Sequence, residues 1–303
     1  MNLVIYHSPC YDGFASAWVF HHYSEHFHDP IEYKPMNYNQ EIHLKGKYNY
    51  IFVVDFSFNK DVIDVLLKDN VNKKLIILDH HKTAKENLLP LTKKRNKKLD
   101  IVFDMDRAGC QITWDYITDF LFHTNQSRPK IIDYIADRDL WRWKLPFSKQ
   151  INMYLSEKKC MSSFETFDNT IENWNMMSMQ RQGKDLLDGQ QKTMKKIINK
   201  HSYYGCITGH PCFIVQSTLY ISEIGDYLLH YSKNKKLGVD IVCIYYYDCE
   251  NKHFRFSLRS KQFDITSICK QFQGGGHENA GGCILSYDDL NTFVCFSKRM
   301  YVR

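Results

Sequence analysis

Three apolar runs in the first eighty residues end on side chains that can bind metal or move protons. LIILDHHKT (75–83) climbs to Leu78 and then delivers Asp79, His80 and His81 without a spacer. LVIYH (3–7) ends on His7, with Cys10 and Asp12 following in HSPCYDG, and FVVDF (52–56) reaches Asp55. A mixed carboxylate and imidazole set suits Mn²⁺, Fe²⁺ or Zn²⁺ better than cations that prefer oxygen-only shells. Two such ions about 3.5–4 Å apart, bridged by a carboxylate, activate water and stabilise an in-line displacement at phosphorus. Asp55, central among the three endings, is the natural bridge.

The elements that must position these groups read as strands and helices in alternation. LVIY (3–6), YIFVV (50–54) and KLIIL (74–78) are nearly continuous apolar runs, as expected for parallel strands covered on both faces. Helix-like spacing fills AWVFHHYSEHF (17–27) and DVIDVLLKD (61–69). A fourth strand, LDIVF (99–103), leads into an amphipathic helix over AGCQITWDYITDFLF (108–122). This alternation predicts a doubly wound α/β domain, in which ligands bind at the carboxyl ends of the strands near the switch in strand order. A further helix over 129–145 ends in ADRDLWRW (136–143), and 151–200 is mostly helical, closing with KDLLDGQQKTMKKIINK (184–200). The texture then turns β-rich in PCFIVQS (211–217), VDIVCIYYYD (239–248) and HFRFSLRS (253–260). A short helix, ITSICKQF (265–272), runs into GGGHENAGG (274–282). The expected division is a first domain over 1–183, a linker helix over 184–203 and a second, smaller α/β domain over 204–303.

The bulk numbers agree with a globular chain. Of 303 residues, 44% are hydrophobic, 15% aromatic and 24% charged, too apolar for disorder. A formal charge of +6 suits an anionic substrate but is modest for a dedicated duplex-DNA binder. KKRNKK (93–98) and KNKK (233–236) read as solvated lysines in loops. The ten cysteines form no CxxC pair, which fits neither a zinc finger nor a small disulfide scaffold, and they read as reduced thiols. MNLVIYHSPCYDG has neither the basic region nor the apolar run of a signal peptide. With no apolar run near the roughly 18 residues of a membrane span, a cytoplasmic protein without a membrane partner is expected.

Together these stretches resemble the DHH phosphoesterases with a C-terminal DHHA1 domain, the family of the oligoribonuclease and nanoRNase-like enzymes. LDHH (78–81) is similar to the motif that names the family, HSPCYDGFASA (7–17) to its first motif and VVDFS (53–57) to its second. ADRDLW (136–141) resembles a variant fourth motif, and SLRS (257–260) with GGGHENAGG (274–282) the substrate-binding signature. The resemblance implies a parallel-sheet DHH domain, a DHHA1 domain and an active site in the cleft between them. It also implies a two-metal Mn²⁺ centre, with Fe²⁺, Zn²⁺ or Mg²⁺ as alternatives. His7 and Asp55 would hold one ion; Asp12, Asp55, His80 and Asp137 would hold the other. ADRD offers Asp139 as well, and the carry-over takes Asp137. Asp79 would orient an imidazole, and His81 would meet substrate phosphate or a water on the metal. Cys10 departs from the pattern, which has an aspartate there. A thiolate is a poor partner for Mn²⁺ and a good one for Zn²⁺ or Fe²⁺, so the first position is expected to be weakened or softer in preference.

GGGHENAGG has its own physical logic. Consecutive glycines at Gly274, Gly275 and Gly276 let backbone N–H groups approach a phosphate closely. His277 can donate to the same anion, and Arg259 adds a fork-shaped donor. The function expected is hydrolysis of short oligonucleotides or linear dinucleotides to nucleoside monophosphates. The same chemistry on cyclic dinucleotides, 3′-phosphorylated nucleotides or polyphosphate is the alternative. A degenerate member that only binds nucleic acid or a partner is the alternative from another class.

Overall fold

The computed structural model describes residues 1–38, 40–92 and 96–300. The apolar runs form the strands β1 (Asn2–His7), β2 (Ile31–Met36), β3 (Tyr48–Val54), β4 (Val71–Asp79) and β5 (Leu99–Phe103). They pair in parallel in the order β2-β1-β3-β4-β5. The helices of this part are α1 (Tyr11–His22), α2 (Lys60–Val65), α3 (Lys82–Thr92), α4 (Gly109–Asp115), α5 (Lys130–Asp139), α6 (Ser148–Glu157), α7 (Phe164–Glu172) and α8 (Met176–His201).

Successive strand residues point to opposite faces, so a strand buried on both sides must be apolar at every position. Val4, Phe52, Val54, Ile76 and Leu78 face one way, against Trp18 and Phe20 of α1, Trp114 of α4 and Ile135 of α5. Leu3, Ile5, Ile51, Val53, Leu75 and Ile77 face the other way, against Ile63 of α2 and Leu88 of α3. Each such side chain contributes about 1.5–3 kcal/mol on full burial. Together they hold the strand ends at fixed spacing.

β2 carries no apolar run, and sequence patterning does not find it. Its Pro35 is tolerated because β2 is the edge strand of the sheet. β2 lies on one side of β1, while β3, β4 and β5 follow on the other. The strand order therefore switches between β1 and β3, where His7 and Asp55 lie. The helix expected over 108–122 is α4 followed by a wider π turn over Tyr116–Phe122, and α5 stops at Asp139 instead of reaching 145.

The chain divides into two compact units, Met1–Leu187 and Asp188–Arg303, with the division inside α8. The second unit holds β6 (Ser202–Ile207), β7 (His210–Gln216), α9 (Ile221–Lys235), β8 (Ile241–Asp248), β9 (His253–Ser260), α10 (Thr266–Gln271), β10 (Gly275–His277), β11 (Ala280–Leu285), α11 (Leu290–Phe293) and β12 (Val294–Arg299). Its strands form one mixed sheet in the order β10-β11-β9-β8-β7-β6-β12. Ile224 and Leu228 of α9 cover Phe213, Val215 and Val242 on one face. Ile268 and Cys269 of α10 cover Ile214, Cys243 and Leu258 on the other. No helix among the described residues is long and apolar enough to cross a membrane.

Two expectations from composition are corrected. Cys206 and Cys295 are joined in a disulfide, facing each other across β6 and β12. The other eight cysteines are thiols. The basic run 233–236 is exposed, as expected, but it closes α9 instead of sitting in a loop; lysines there complement the helix C-terminus. Residues 93–95 of the other basic run lie outside the described residues.

Candidate metal centre

At the switch between β1 and β3, the strand ends bring their polar residues together. Asp55 is the hub. Its Oδ2 meets His7 Nδ1 and Cys10 Sγ, each at 3.3 Å, and its Oδ1 meets His80 Nε2 at 3.1 Å. Its backbone is in the left-handed region, with φ of 51°, a conformation that aspartate tolerates better than most residues. That turn directs the carboxylate back across the ends of β1 and β4.

Asp12, in the first turn of α1, comes from the opposite side. Its carboxylate accepts the backbone N–H groups of Gly109 at 2.6 Å and Cys110 at 2.7 Å, at the start of α4. One of its oxygens also lies 3.4 Å from His80 Nε2. Gly109 is required by this approach, because a Cβ there would come within 2.7 Å of the Asp55 Cβ. Asp139, the last residue of α5, completes the ring around His80 Nε2 at 3.5 Å.

Asp137 is not brought to the cluster. Its carboxylate accepts the backbone N–H groups of Lys144 and Leu145 at 2.9 and 3.2 Å, organising the loop after α5. Helix residues two positions apart are rotated about 200° from each other, so only one of Asp137 and Asp139 can face the strand ends. The structure turns Asp139 there, whereas the carry-over from the motif takes Asp137.

Asp79 and His81 form a second arrangement beside the first. Asp79, fully buried, accepts from the backbone N–H groups of His80 at 2.7 Å and His81 at 3.2 Å, and from Ser57 Oγ at 2.5 Å. It also holds His81 Nδ1 at 2.7 Å. The imidazole is thereby held through Nδ1, and Nε2 is the ring nitrogen that Asp79 does not engage. Tyr38, 40% exposed, sets its ring 5.2 Å from His7 and 5.8 Å from His81.

Burial and mutual repulsion shift the titration of nearly every group in the cluster. Burial pushes the Asp12 carboxyl well up, and repulsion from Asp55 and Asp139 adds to it. Asp139 is raised by its own burial as well. Burial opposes the charged form of Asp55 too, but hydrogen bonds from His7 and His80 hold its carboxyl well below the usual range. Burial works against a charged His80, yet Asp55, Asp139 and Asp12 outweigh it and hold that imidazole at about 10. Burial likewise resists a charged His81 and is outweighed by Asp79, leaving it raised. Asp12, Asp55 and Asp139 crowd around one imidazole and repel one another, and a divalent ion would offset that repulsion. The oxygen and nitrogen donors fit such an ion. His7, Cys10 and Asp55 form one group with donor atoms within 4.8 Å of one another; Asp12, Asp55 and His80 form another.

In the second unit the predicted anion-binding residues share one row. His277 on β10 pairs with Ala280 on β11, and Ala280 pairs with Arg259 on β9. Residues in register point to one face of a sheet. Arg259 donates from Nη2 to Ser222 Oγ and from Nη1 to the Leu258 carbonyl, both at 2.9 Å. Gly225 of α9 lets that side chain pass, since a Cβ there would lie 2.6 Å from the Arg259 Cγ. Gly274 precedes the β10–β11 hairpin and Gly275 lies in it, while Gly276 adopts φ of 133°.

No family model matches the chain. Among curated proteins it is 29% identical over 315 residues to the uncharacterized protein R106 of Acanthamoeba polyphaga mimivirus, covering 98% of this chain and 70% of that one. Among solved structures, RecJ of Thermus thermophilus in complex with Mn²⁺ superposes with a TM-score of 0.51 at 9% identity. The match spans 96% of this chain and 50% of RecJ. This chain has the RecJ-like DHH fold. An exopolyphosphatase-related protein from Bacteroides fragilis also matches, with TM-score 0.49, 13% identity, and coverage of 96% of this chain and 88% of that one.

Within the DHH fold, sequence reasoning places His7, Asp12, Asp55, Asp79, His80 and His81 at one sheet edge, and all are there. It singles out neither Ser57 nor Tyr38. Ser57 closes the VVDFS stretch, so the motif itself carried that signal. Tyr38 lies in a segment without strand or helix periodicity, and nothing local marks it.

Proposed function

We propose that the chain is a divalent-metal-dependent phosphoesterase that cuts short oligonucleotides or linear dinucleotides to nucleoside monophosphates. The observation that carries this reading is the sharing of one buried carboxylate, Asp55, between His7 and Cys10 on one oxygen and His80 on the other. Asp12, Asp55, His80 and Asp139 would hold one ion, of which Mn²⁺ suits the oxygen-rich set; His7, Cys10 and Asp55 would hold the other. Bound there, divalent ions supply Lewis-acid stabilisation of phosphoryl oxygens and a lowered pKa for water.

The remaining steps belong to the chain. Asp79 and Ser57 fix the His81 ring, so that Nε2 donates to a phosphate oxygen with no reorientation during reaction. Asp12, tied to the start of α4, keeps its carboxylate in place without relying on solvent. Arg259 and His277 supply donors for a terminal phosphate, which favours short substrates carrying a free end over long duplexes.

The test is hydrolysis of a panel: pApA, short RNA, a cyclic dinucleotide, 3′-phosphoadenosine 5′-phosphate and polyphosphate, each with Mn²⁺, Mg²⁺, Fe²⁺ or Zn²⁺. Monophosphate release from pApA and short RNA, abolished by Asp55→Asn, is expected. Equal turnover by wild type and Asp55→Asn would refute the role of Asp55. A preference for polyphosphate or cyclic dinucleotides would overturn the substrate assignment. Absence of turnover and of bound metal would leave a binding protein.

A further inference from the structure

Cys10 occupies the N-cap position of α1, with φ −145° and ψ 136°. A polar residue there ordinarily turns its side chain to the unpaired N–H groups of the first helical turn. The Cys10 thiol makes no such bond. Its Sγ instead points across to Asp55 Oδ2 at 3.3 Å, the same oxygen that His7 Nδ1 reaches at 3.3 Å. Nitrogen, sulfur and oxygen donors from three side chains thus converge on one point, all within 4.8 Å of one another. The second Asp55 oxygen faces His80, with Asp12 and Asp139 beyond it. Asp55 therefore separates two positions of different chemistry, one rich in oxygen and one containing sulfur.

We propose that His7, Cys10 and Asp55 form a thiophilic cation position that selects Zn²⁺ or Fe²⁺ over Mn²⁺ and Mg²⁺, making the centre a mixed-metal one. The inference deepens the metal-dependent reading above and rests on it. Three protein donors leave a fourth direction open, the arrangement a tetrahedral catalytic ion uses. Soft thiolate favours Zn²⁺ and Fe²⁺ strongly and contributes little to Mn²⁺ or Mg²⁺. The donor set is held in place from both sides. His7 ends a strand locked by its pairing with β2 and β3, and Cys10 opens a helix anchored by the buried Trp18 and Phe20.

Co²⁺ is the probe, because a thiolate ligand adds a ligand-to-metal charge-transfer band that oxygen and nitrogen ligands lack. The chain is titrated under reducing conditions in a Cys249→Ser background, since Cys249 is an exposed thiol. The charge-transfer band should grow to one equivalent. Cys10→Ser should abolish it while the d–d bands of the oxygen-rich position persist, and serine is a favourable N-cap, so the fold is retained. Cys10→Asp should raise Mn²⁺ affinity relative to Zn²⁺ by about tenfold or more at this position. Cobalt d–d bands in wild type without the charge-transfer band would overturn the proposal and leave the metal reading intact. So would a band that survives in Cys10→Ser. Failure of both proteins to bind Co²⁺, Zn²⁺ or Mn²⁺ would remove the metal reading itself.

Discussion

On the proposed assignment Asp139 is a metal ligand and Asp137 a structural brace, so the two substitutions should move different observables. In Asp139→Asn, the carboxylate beside His80 is lost while its volume stays. Losing an outer partner of a metal site typically costs 10–100-fold in affinity. Losing a direct ligand should exceed that, so Mn²⁺ affinity is expected to fall by at least about 100-fold, or about 2.8 kcal/mol at 1.4 kcal/mol per decade. The metal-free protein should be no less stable, because burial and the nearby Asp55 already oppose the charged form of Asp139. Asp137→Asn behaves in the opposite way. Its carboxylate accepts two backbone N–H groups, from Lys144 and Leu145. An amide keeps one carbonyl oxygen but turns an NH₂ towards the other donor. A hydrogen bond to a charged group contributes about 1.5–3 kcal/mol, so stability should drop by about that amount with Mn²⁺ affinity nearly unchanged. Denaturant unfolding in chelator, paired with Mn²⁺ titration by calorimetry, reads both quantities. A large affinity loss in Asp137→Asn, with Asp139→Asn binding like wild type, would refute the placement of α5.

Two further outcomes follow from the same geometry. Metal binding near pH 7 should release a proton, because His80 is held at about 10 and so is protonated in the metal-free site; a pH indicator in weak buffer should record this, and His80→Gln should lessen it. In the metal-free protein the folded pKa of His80 exceeds its unfolded value of about 6.5. Its contribution to stability is therefore fully present below about pH 6.5 and lost as pH rises towards 10, which unfolding in chelator across that window should show. In the second unit, Gly225→Ala places a methyl against the Arg259 side chain and should cost about 1–3 kcal/mol while weakening phosphate binding, measured by denaturation and by calorimetry with inorganic phosphate. A stable variant with undiminished phosphate binding would show that Arg259 has another role.

Sequence alone determined the parallel sheet and most of the residues at its working edge. LVIY, YIFVV and KLIIL are apolar at every position because both faces of their strands are covered, and this pattern is local. His7, Asp55 and Asp79–His81 follow those runs directly, so their delivery to one sheet edge was legible from strand ends. Three matters were left to tertiary structure. Strand β2 is held by pairing to β1 and not by an apolar run, so the switch point became visible only with the strand order. ADRD contains two aspartates, and which one faces His80 at the strand ends depends on the phase of α5, set by the packing of Ile131, Ile132 and Ile135 in the core. The direction of the Cys10 thiol depends on a carboxylate 45 residues away in sequence. Side-chain periodicity is short-range information, whereas helix phase and converging ligands are settled by contacts between distant segments.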